Sequence, residues 1–284
     1  LVHNLIRMYI SLGMYEPFET ALLQATRAYY TKEAAHLFSE LDVCRKRYAK
    51  TNFQLSQYLE KMDQRFKEEE YRLNYYLKPI TKKPLFAILE EVMILDLVDG
   101  LINKGFVGLV DASKTTDLAL LYSYLLRVSA LKPLKEAWKA HITRKGMDLI
   151  SDNSKVDTLI DDLLALRAKL YHILEAGFQL SEEFSSALKD SFEAFINSKQ
   201  DAPAELLAKY VNSKLRAGNK KVSNDVELDT MLDNALTIFR YLNGKDTFEA
   251  FYKKDLAKRL LLGKSISIDA EKTMIAKLKA ECGV

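Results

Sequence analysis

The chain has 284 residues, of which 48% are hydrophobic and 29% charged, and its 42 lysines and arginines stand against 39 aspartates and glutamates. Because the two signs are interleaved along the chain, the charge pattern gives no reason to expect a nucleic-acid-binding protein. There is no uncharged apolar run of about 18 residues, as a membrane-spanning helix would need, and Cys44 and Cys282 lack the spacing of a zinc site or disulfide framework, which favours a reducing intracellular compartment.

The amino-terminal half predicts a succession of amphipathic helices. An apolar stripe at helical spacing ends at Gly13, which suits the left-handed conformation that follows many helices. Pro17 lies where the first turn of a second helix tolerates proline. Asn52 can cap a helix of roughly 25 residues, about 40 Å long. A further helix is predicted from Pro84 to Gly105, where the glycine should end it.

The carboxyl-terminal half continues the same pattern. Capping residues or prolines indicate helix starts at Thr116, Pro133 and Ser181. A shorter helix begins at Pro203, and the polar stretch Asn219–Asp225 after it is predicted to be an exposed joint. The last predicted helices are Phe248–Leu262 and Asp269–Ala280. Only 10 glycines and 5 prolines occur, and no useful strand alternation is present, so the fold class is expected to be all-α.

The sequence offers two weak candidates for chemistry. Cys44 is followed by three basic residues and lies eight positions after His36, but a nucleophile also needs a positioned base and oxyanion donors. Gly263-Lys264-Ser265 resembles the end of a phosphate-binding loop, yet the earlier glycine that such a loop requires is replaced by Lys258. We therefore expect no catalytic, cofactor-binding or metal-binding residues, and a protein that is not an enzyme.

Two features near the carboxyl end allow more than one interpretation. Basic residues cluster around Lys209–Lys221 and Lys253–Lys264, and we interpret them as solvated helix faces in preference to a nucleic-acid surface, because acidic residues accompany them. Asp255 and Arg259, spaced i, i+4, fall within an apolar arc of their helix, so we predict a structural ion pair inside a packed contact. A plain surface pair is the alternative.

Several segments resemble one protein family. The most specific are Lys214–Lys220, Gly244–Leu262, Lys264-Ser265 and Asp269–Lys272, and weaker matches are Lys67–Leu77, Asp117–Arg127 and Pro203–Tyr210. Together they resemble the cullin family, and the first of them resembles the cullin-4 group in particular. The resemblance covers most of the chain and is weakest before residue 60, where Leu41–Phe53 looks like an insertion.

The resemblance implies a fold and an arrangement of domains. Similarity to cullins implies an elongated stack of five-helix repeats. A globular region that recruits a RING-box protein and receives a ubiquitin-like modifier would follow the stack. On this pattern, residues 1–112 resemble the second repeat, residues 113–225 the third, and residues 226–284 the start of the carboxyl-terminal four-helix bundle. The first repeat, which in cullin-4 holds a propeller-type substrate adaptor, and the RING-binding region find no match here.

The function that follows is that of a rigid scaffold segment in a cullin-RING ubiquitin ligase. It would space the substrate adaptor from the RING-bound conjugating enzyme during protein ubiquitination, in the cytoplasm and nucleus. The alternative is a helical-repeat protein unrelated to ubiquitin that binds nucleic acid or another partner. Salt-dependent binding to DNA or RNA would favour that alternative.

Overall fold

The structure is a computed structural model that describes residues 2–47, 53–152, 158–199, 202–216 and 225–282, without the side chains of residues 41–47, 53–54 and 225. Throughout these residues the regular secondary structure is helical, and the β-type pairing found among them is one isolated bridge between Arg216 and Ser265. The predicted all-α class is confirmed. The predicted joint Asn219–Asp225 and most of the segment Leu41–Phe53 lie outside the described residues or side chains.

The chain forms two compact units, unit 1 (residues 1–137 and 172–181) and unit 2 (residues 138–171 and 182–284). In chain order the helices are α1 (Val2–Ser11), α2 (Tyr15–Arg47), α3 (Phe53–Tyr76), α4 (Lys82–Met93), α5 (Val98–Leu101), α6 (Val107–Asp111), α7 (Thr115–Arg127), α8 (Leu131–Ser151), α9 (Leu159–Phe178), α10 (Glu182–Ile196), α11 (Ala202–Leu215), α12 (Asp225–Phe239), α13 (Lys245–Leu261) and α14 (Ile268–Cys282). Among the described helices, none combines the length and the apolar character needed to cross a membrane.

The predicted helix Pro84–Gly105 is interrupted in the structure and does not end at Gly105. Helix α4 ends at Met93, and helical backbone resumes through a 3-10 turn, α5, a π-helical turn (Ile102–Phe106) and α6. A Cβ atom at Gly105 would lie 2.5 Å from the Cβ of Leu55 on α3. Glycine at this position therefore permits the close approach of α3 and does not stop the helix.

Unit 1 is held by apolar side chains of its longer helices. The 24-residue helix α3 matches the predicted long helix, and its Phe66 ring lies 5.0 Å from Tyr124 and 5.9 Å from Phe86, measured between ring centroids. The side chains that are almost fully buried in this unit include Leu59, Met62, Leu89, Met93, Phe106, Leu118 and Leu125. Burying one such side chain contributes roughly 1.5–3 kcal/mol, so this core accounts for most of the unit's cohesion.

Unit 2 is built around aromatic side chains. Trp138 is fully buried, and its indole N–H donates a hydrogen bond of 3.3 Å to the carbonyl of Phe184. The rings of Phe239 on α12 and Phe248 on α13 are 5.0 Å apart. Helices α11 and α13 pack against each other. This contact brings the last turn of α13 next to the end of α11, where the site described below lies.

Candidate functional site

The sequence offered Cys44, with His36 upstream, as a weak candidate for nucleophilic chemistry, and of these two side chains the structure describes that of His36. Over the described part of the chain, no group of three or more His, Cys, Asp or Glu side chains could hold a metal ion. His36 is exposed, with its Nδ1 3.9 Å from Oε1 of Glu40. The side chain of Cys44 lies outside the described residues, and Cys282 is a free, exposed cysteine. The polar groups described next act on the protein's own packing.

The segment that resembles a phosphate-binding loop forms the end of helix α13. Gly263 has a φ of 61°, in the left-handed region. The Lys264 N–H donates to the carbonyl of Arg259 at 2.8 Å, and the Gly263 N–H donates to the carbonyl of Leu260 at 3.3 Å. This pair of bonds is a Schellman cap, which satisfies carbonyls that the helix end would otherwise leave unpaired.

The loop after this cap is tied to α11 and leads directly into α14. The Ile266 N–H donates to the carbonyl of Leu215 at 2.9 Å, next to the bridge formed by Arg216 and Ser265. The hydroxyl of Ser267 then accepts hydrogen bonds from the second and third backbone N–H groups of α14, at 3.1 and 3.4 Å. Serine at this position caps the helix start. The first turn of α14 is thereby fixed over the last turn of α13.

Arg259 and Glu271 form a buried ion pair where these two turns meet. The Arg259 Nε and Nη2 donate to the two carboxylate oxygens of Glu271 at 2.7 and 2.8 Å, and both side chains are only 3% exposed. The Arg259 Nη1 donates to Oδ1 of Asn212 at 2.7 Å, and the Ser265 hydroxyl donates to Glu271 Oε1 at 2.8 Å. Bidentate pairing with additional hydrogen bonds is the arrangement that can offset the cost of burying two charges.

The structure gives Arg259 a different partner from the one that the sequence predicted. Asp255 was expected to pair with Arg259, but the carboxylate that contacts Arg259 is that of Glu271. Asp255 is half-buried and lines a pocket beside the pair. An i, i+4 spacing places two residues on the same helix face, yet it does not direct the guanidinium. The cap and the loop after it place α14 so that the carboxylate of Glu271 reaches Arg259. That contact depends on the tertiary structure.

The apolar arc predicted on α13 is buried only toward its start. Phe248 and Tyr252 are buried, Phe251 and Leu256 are half-buried, and Leu260 is 48% exposed. The Phe248 and Tyr252 rings are stacked with their centroids 5.8 Å apart. The contact of α13 with the rest of unit 2 is therefore apolar in its first half and ionic at its end.

Tyr252 connects these two halves. Its ring centroid lies 5.8 Å from the Arg259 Cζ, so the aromatic stack borders the guanidinium. Burial raises the pKa of the Tyr252 hydroxyl to about 12, and the nearby negative charge of Glu271 acts in the same direction. The hydroxyl is buried without a hydrogen-bond partner among the described residues.

Sequence reasoning missed Glu271, Ser265 and Asn212 as members of this cluster. Glu271 lies within the segment Asp269–Lys272, and Ser265 within Lys264-Ser265, both of which carry the family resemblance. Membership in those short motifs was a signal that could have identified them. Asn212 lies outside the quoted motifs and had no such signal.

Unit 1 contains a second buried carboxylate with a different surrounding. The side chain of Glu69 is 8% exposed, and its Oε1 accepts a hydrogen bond of 2.5 Å from the Tyr30 hydroxyl. The same oxygen contacts Nη1 of Arg72, whose side chain is 53% exposed. Burial and this hydrogen bond raise the pKa of Tyr30. Here the carboxylate is buried, but its cation stays in contact with water.

Comparison with known proteins places the whole chain in one family. A family model described as the cullin alpha solenoid domain matches residues 1–284. The chain is 43% identical over 283 residues to "Cullin-4" of Dictyostelium discoideum and 40% identical over 285 residues to "Cullin-4A" of Homo sapiens. It is 33% identical over 293 residues to "Cullin-3A" of Arabidopsis thaliana. These alignments cover 100% of this chain and 34%, 36% and 38% of the relatives, so the chain spans about a third of their length.

Proposed function

The chain belongs to the cullin family, and on that premise we propose that it is a scaffold segment of a cullin-RING ubiquitin ligase. The observation that carries the proposal is the match of the cullin alpha solenoid domain over residues 1–284. The helical structure of both units supports it, because packed helices suit a spacer. The role is to keep the substrate adaptor and the RING-bound conjugating enzyme of the longer protein at a set separation.

Rigidity is the physical basis of this role. Holding two reactants in a productive geometry replaces a bimolecular encounter by an effectively intramolecular one. Helix α3 alone, with 24 residues, extends about 36 Å at 1.5 Å per residue. Its buried residues Leu59, Met62 and Phe66 fix it within unit 1. A helix that is packed in this way cannot bend freely, so the distance between its two ends stays fixed.

The buried polar groups of the chain support a structural role. Arg259, Glu271 and Glu69 contact protein atoms and are closed to a substrate by their burial. We therefore assign no catalytic step to this chain. Ubiquitin transfer belongs, in this proposal, to the conjugating enzyme that the assembly recruits.

We further propose three cullin segments, residues 1–112, 113–225 and 226–284. The break between α6 and α7, where Ser113 has a φ of 53°, supports the first boundary. The second boundary, between residues 225 and 226, lies at the start of α12, directly after residues 217–224, which the structure does not describe. A RING-box protein and a propeller-type substrate adaptor are the proposed partners of the longer protein, in the cytoplasm and nucleus.

A flexible insertion tests the spacer role. We would insert about six glycine and serine residues, which behave as flexible coil, between Ala112 and Lys114 of the full-length protein. Ubiquitin transfer to a bound substrate should slow severalfold, while binding of the adaptor and of the RING-box protein is unchanged. The measurement is the transfer rate in a reconstituted ligase.

The matched control keeps the chain length. Ser113→Gly adds flexibility at the same place, is compatible with the positive φ, and should leave the rate unchanged. An equal transfer rate in the insertion variant, with its helical content and unfolding temperature intact, would contradict the rigid-spacer proposal. Tight, salt-sensitive binding of the chain to DNA with no binding to ligase components would favour the nucleic-acid alternative.

The elongated shape expected from the sequence has its own test. A compact chain of this length would have a radius of gyration of about 19 Å. Stacked repeats should give a clearly larger value in small-angle X-ray scattering of the 284-residue chain. A value near that of a compact globule would contradict the stalk.

A further inference from the structure

Unit 2 contains a pocket of about 260 Å³ beside the Arg259 cluster. It opens where the end of α11, the end of α13 and the loop after α13 meet. The residues that line it are Asn212, Arg216, Asp255, Lys258, Arg259, Leu262 and Lys264. Its walls therefore carry four cationic side chains and one carboxylate, although the whole chain has a net charge of only +3.

Three of these cations, Arg216, Lys258 and Lys264, have no carboxylate within ion-pair distance among the described residues. Some other exposed lysines of unit 2 do have a carboxylate partner. Lys253 pairs with Glu249 at 2.5 Å, one turn along the same helix. Side chains from three separate segments thus direct unpaired positive charge into a single concave site.

The base of the pocket is preorganised. Arg259 is held by Glu271 and donates through Nη1 to Asn212, and it is 3% exposed. Glu271 balances the charge of Arg259, and Asp255 balances one more. The pocket therefore keeps a net positive charge, because four cationic side chains stand against the two carboxylates of Glu271 and Asp255.

Stabilisation of helix ends does not account for these cations. Lysine and arginine in a last turn favour the negative end of a helix, and Lys258 lies in the last turn of α13. Several carbonyls there already accept backbone hydrogen bonds, because the N–H groups of Gly263 and Lys264 bind those of Leu260 and Arg259, and the N–H of Ile266 binds that of Leu215 at the end of α11. Capping also gives no reason for Lys258 and Lys264 to converge with Arg216.

We propose that this pocket binds a small, free, multivalent phosphate anion. Phosphate oxygens accept charge-assisted hydrogen bonds from several lysine and arginine side chains at once. A volume of about 260 Å³ exceeds that of a single water-sized ion and suits a ligand with more than one phosphate group. The site is independent of the spacer role.

Titration with tripolyphosphate tests this site. Isothermal titration calorimetry of the 284-residue chain at low ionic strength should show one binding site, and Lys258→Gln and Lys264→Gln should each weaken binding about tenfold. Asp255→Asn should strengthen it severalfold, because it removes a repulsive charge. Lys253→Gln is the matched control on the same helix, and it should change the affinity by less than about twofold.

Four results would overturn the proposal. No saturable binding would exclude the site, and an equal loss of affinity in the Lys253→Gln control would indicate unspecific attraction to a basic chain. Equal affinity for citrate would exclude a phosphate-selective site. Tighter binding of a DNA oligonucleotide, lost in Lys258→Gln and Lys264→Gln, would reassign the pocket to nucleic acid. All the substituted side chains are exposed or half-buried, so unchanged unfolding temperatures would confirm that the variants fold.

Discussion

Glu69 in unit 1 and Glu271 in unit 2 are both buried glutamates that bind one hydroxyl and one arginine, yet they are surrounded differently. Glu69 contacts Arg72, whose side chain is 53% exposed. Glu271 holds Arg259 through two hydrogen bonds, and both partners are 3% exposed. In unit 1 the cation can turn into water when its partner changes. In unit 2 neither Arg259 nor Glu271 can turn into water, because both side chains are buried.

The difference shows that burial of the carboxylate alone does not set the cost of disrupting such a pair. When one partner is removed, the free energy lost depends on whether the remaining charge can be solvated. Arg72 can extend its guanidinium into solvent while its stem stays packed. Arg259 is surrounded by Tyr252, Asn212 and Glu271.

The largest effect is expected from neutralising one side of the buried pair in unit 2. Glu271→Gln should lower the free energy of unfolding by about 3–5 kcal/mol, because Arg259 keeps a buried charge without a counter-charge. Arg259→Met should do the same for the carboxylate of Glu271. Chemical denaturation followed by circular dichroism would measure both.

A double variant separates charge from packing. Arg259→Met with Glu271→Leu leaves no buried charge, so it should cost less than either single change. Asp255→Asn is the matched control on α13 and should stay within about 0.5 kcal/mol of the parent chain. A double variant less stable than both single variants would show that the pair is worth more than its replacement by apolar side chains.

In unit 1 the same substitution should have a smaller effect. Glu69→Gln keeps an acceptor for the Tyr30 hydroxyl and leaves Arg72 free to be solvated, so we expect a loss of about 1 kcal/mol. Measured beside Glu271→Gln, it isolates the contribution of solvent access. Equal losses at the two glutamates would contradict the distinction between the units.

Two equivalent glycine caps extend the comparison. Gly13 ends α1 and Gly263 ends α13, with φ values of 70° and 61° and the same pair of backbone hydrogen bonds. Alanine in this conformation costs roughly 1 kcal/mol. Gly263→Ala should lower global stability by that amount, since the cap positions the Arg259 pair. Gly13→Ala should instead fray α1, which buries only Ile6 among its described residues.

Amide hydrogen exchange would distinguish the two outcomes. Faster exchange confined to Val2–Ser11 is expected for Gly13→Ala, with little change in the denaturation midpoint. A shift of the midpoint as large as that of Gly263→Ala would show that α1 unfolds together with the remainder of unit 1.

The smallest effect is expected at the two buried tyrosines, and it depends on pH. The pKa of Tyr252 is raised to about 12, from an ordinary value of about 10. A raised pKa means that stability is fully present below about pH 10 and is lost as the pH rises through about 12. Tyr252→Phe should flatten this alkaline decline and be nearly neutral at pH 7, because its hydroxyl has no partner among the described residues. Tyr30→Phe should destabilise already at pH 7, since it removes the hydrogen bond to Glu69.

The family and the helical architecture could be predicted from the sequence. Apolar side chains at three- and four-residue spacing, with few glycines and prolines, leave little alternative to packed helices. The end of α1 at Gly13 and the length of α3 followed from such local signals. Gly105 shows their limit, because a glycine that ends a helix and one that admits a neighbouring helix look the same in a sequence.

The partner of Arg259 was decided by the tertiary structure alone. The sequence placed Arg259 on α13 and Asp255 four residues before it, and local spacing favoured that pair. The glycine cap turns the chain, the loop binds α11, and α14 then presents Glu271 to the guanidinium from 12 positions away. A buried arginine binds the carboxylate that can accept from two of its N–H groups at once with good geometry. That geometry exists only once α11, α13 and α14 are packed together.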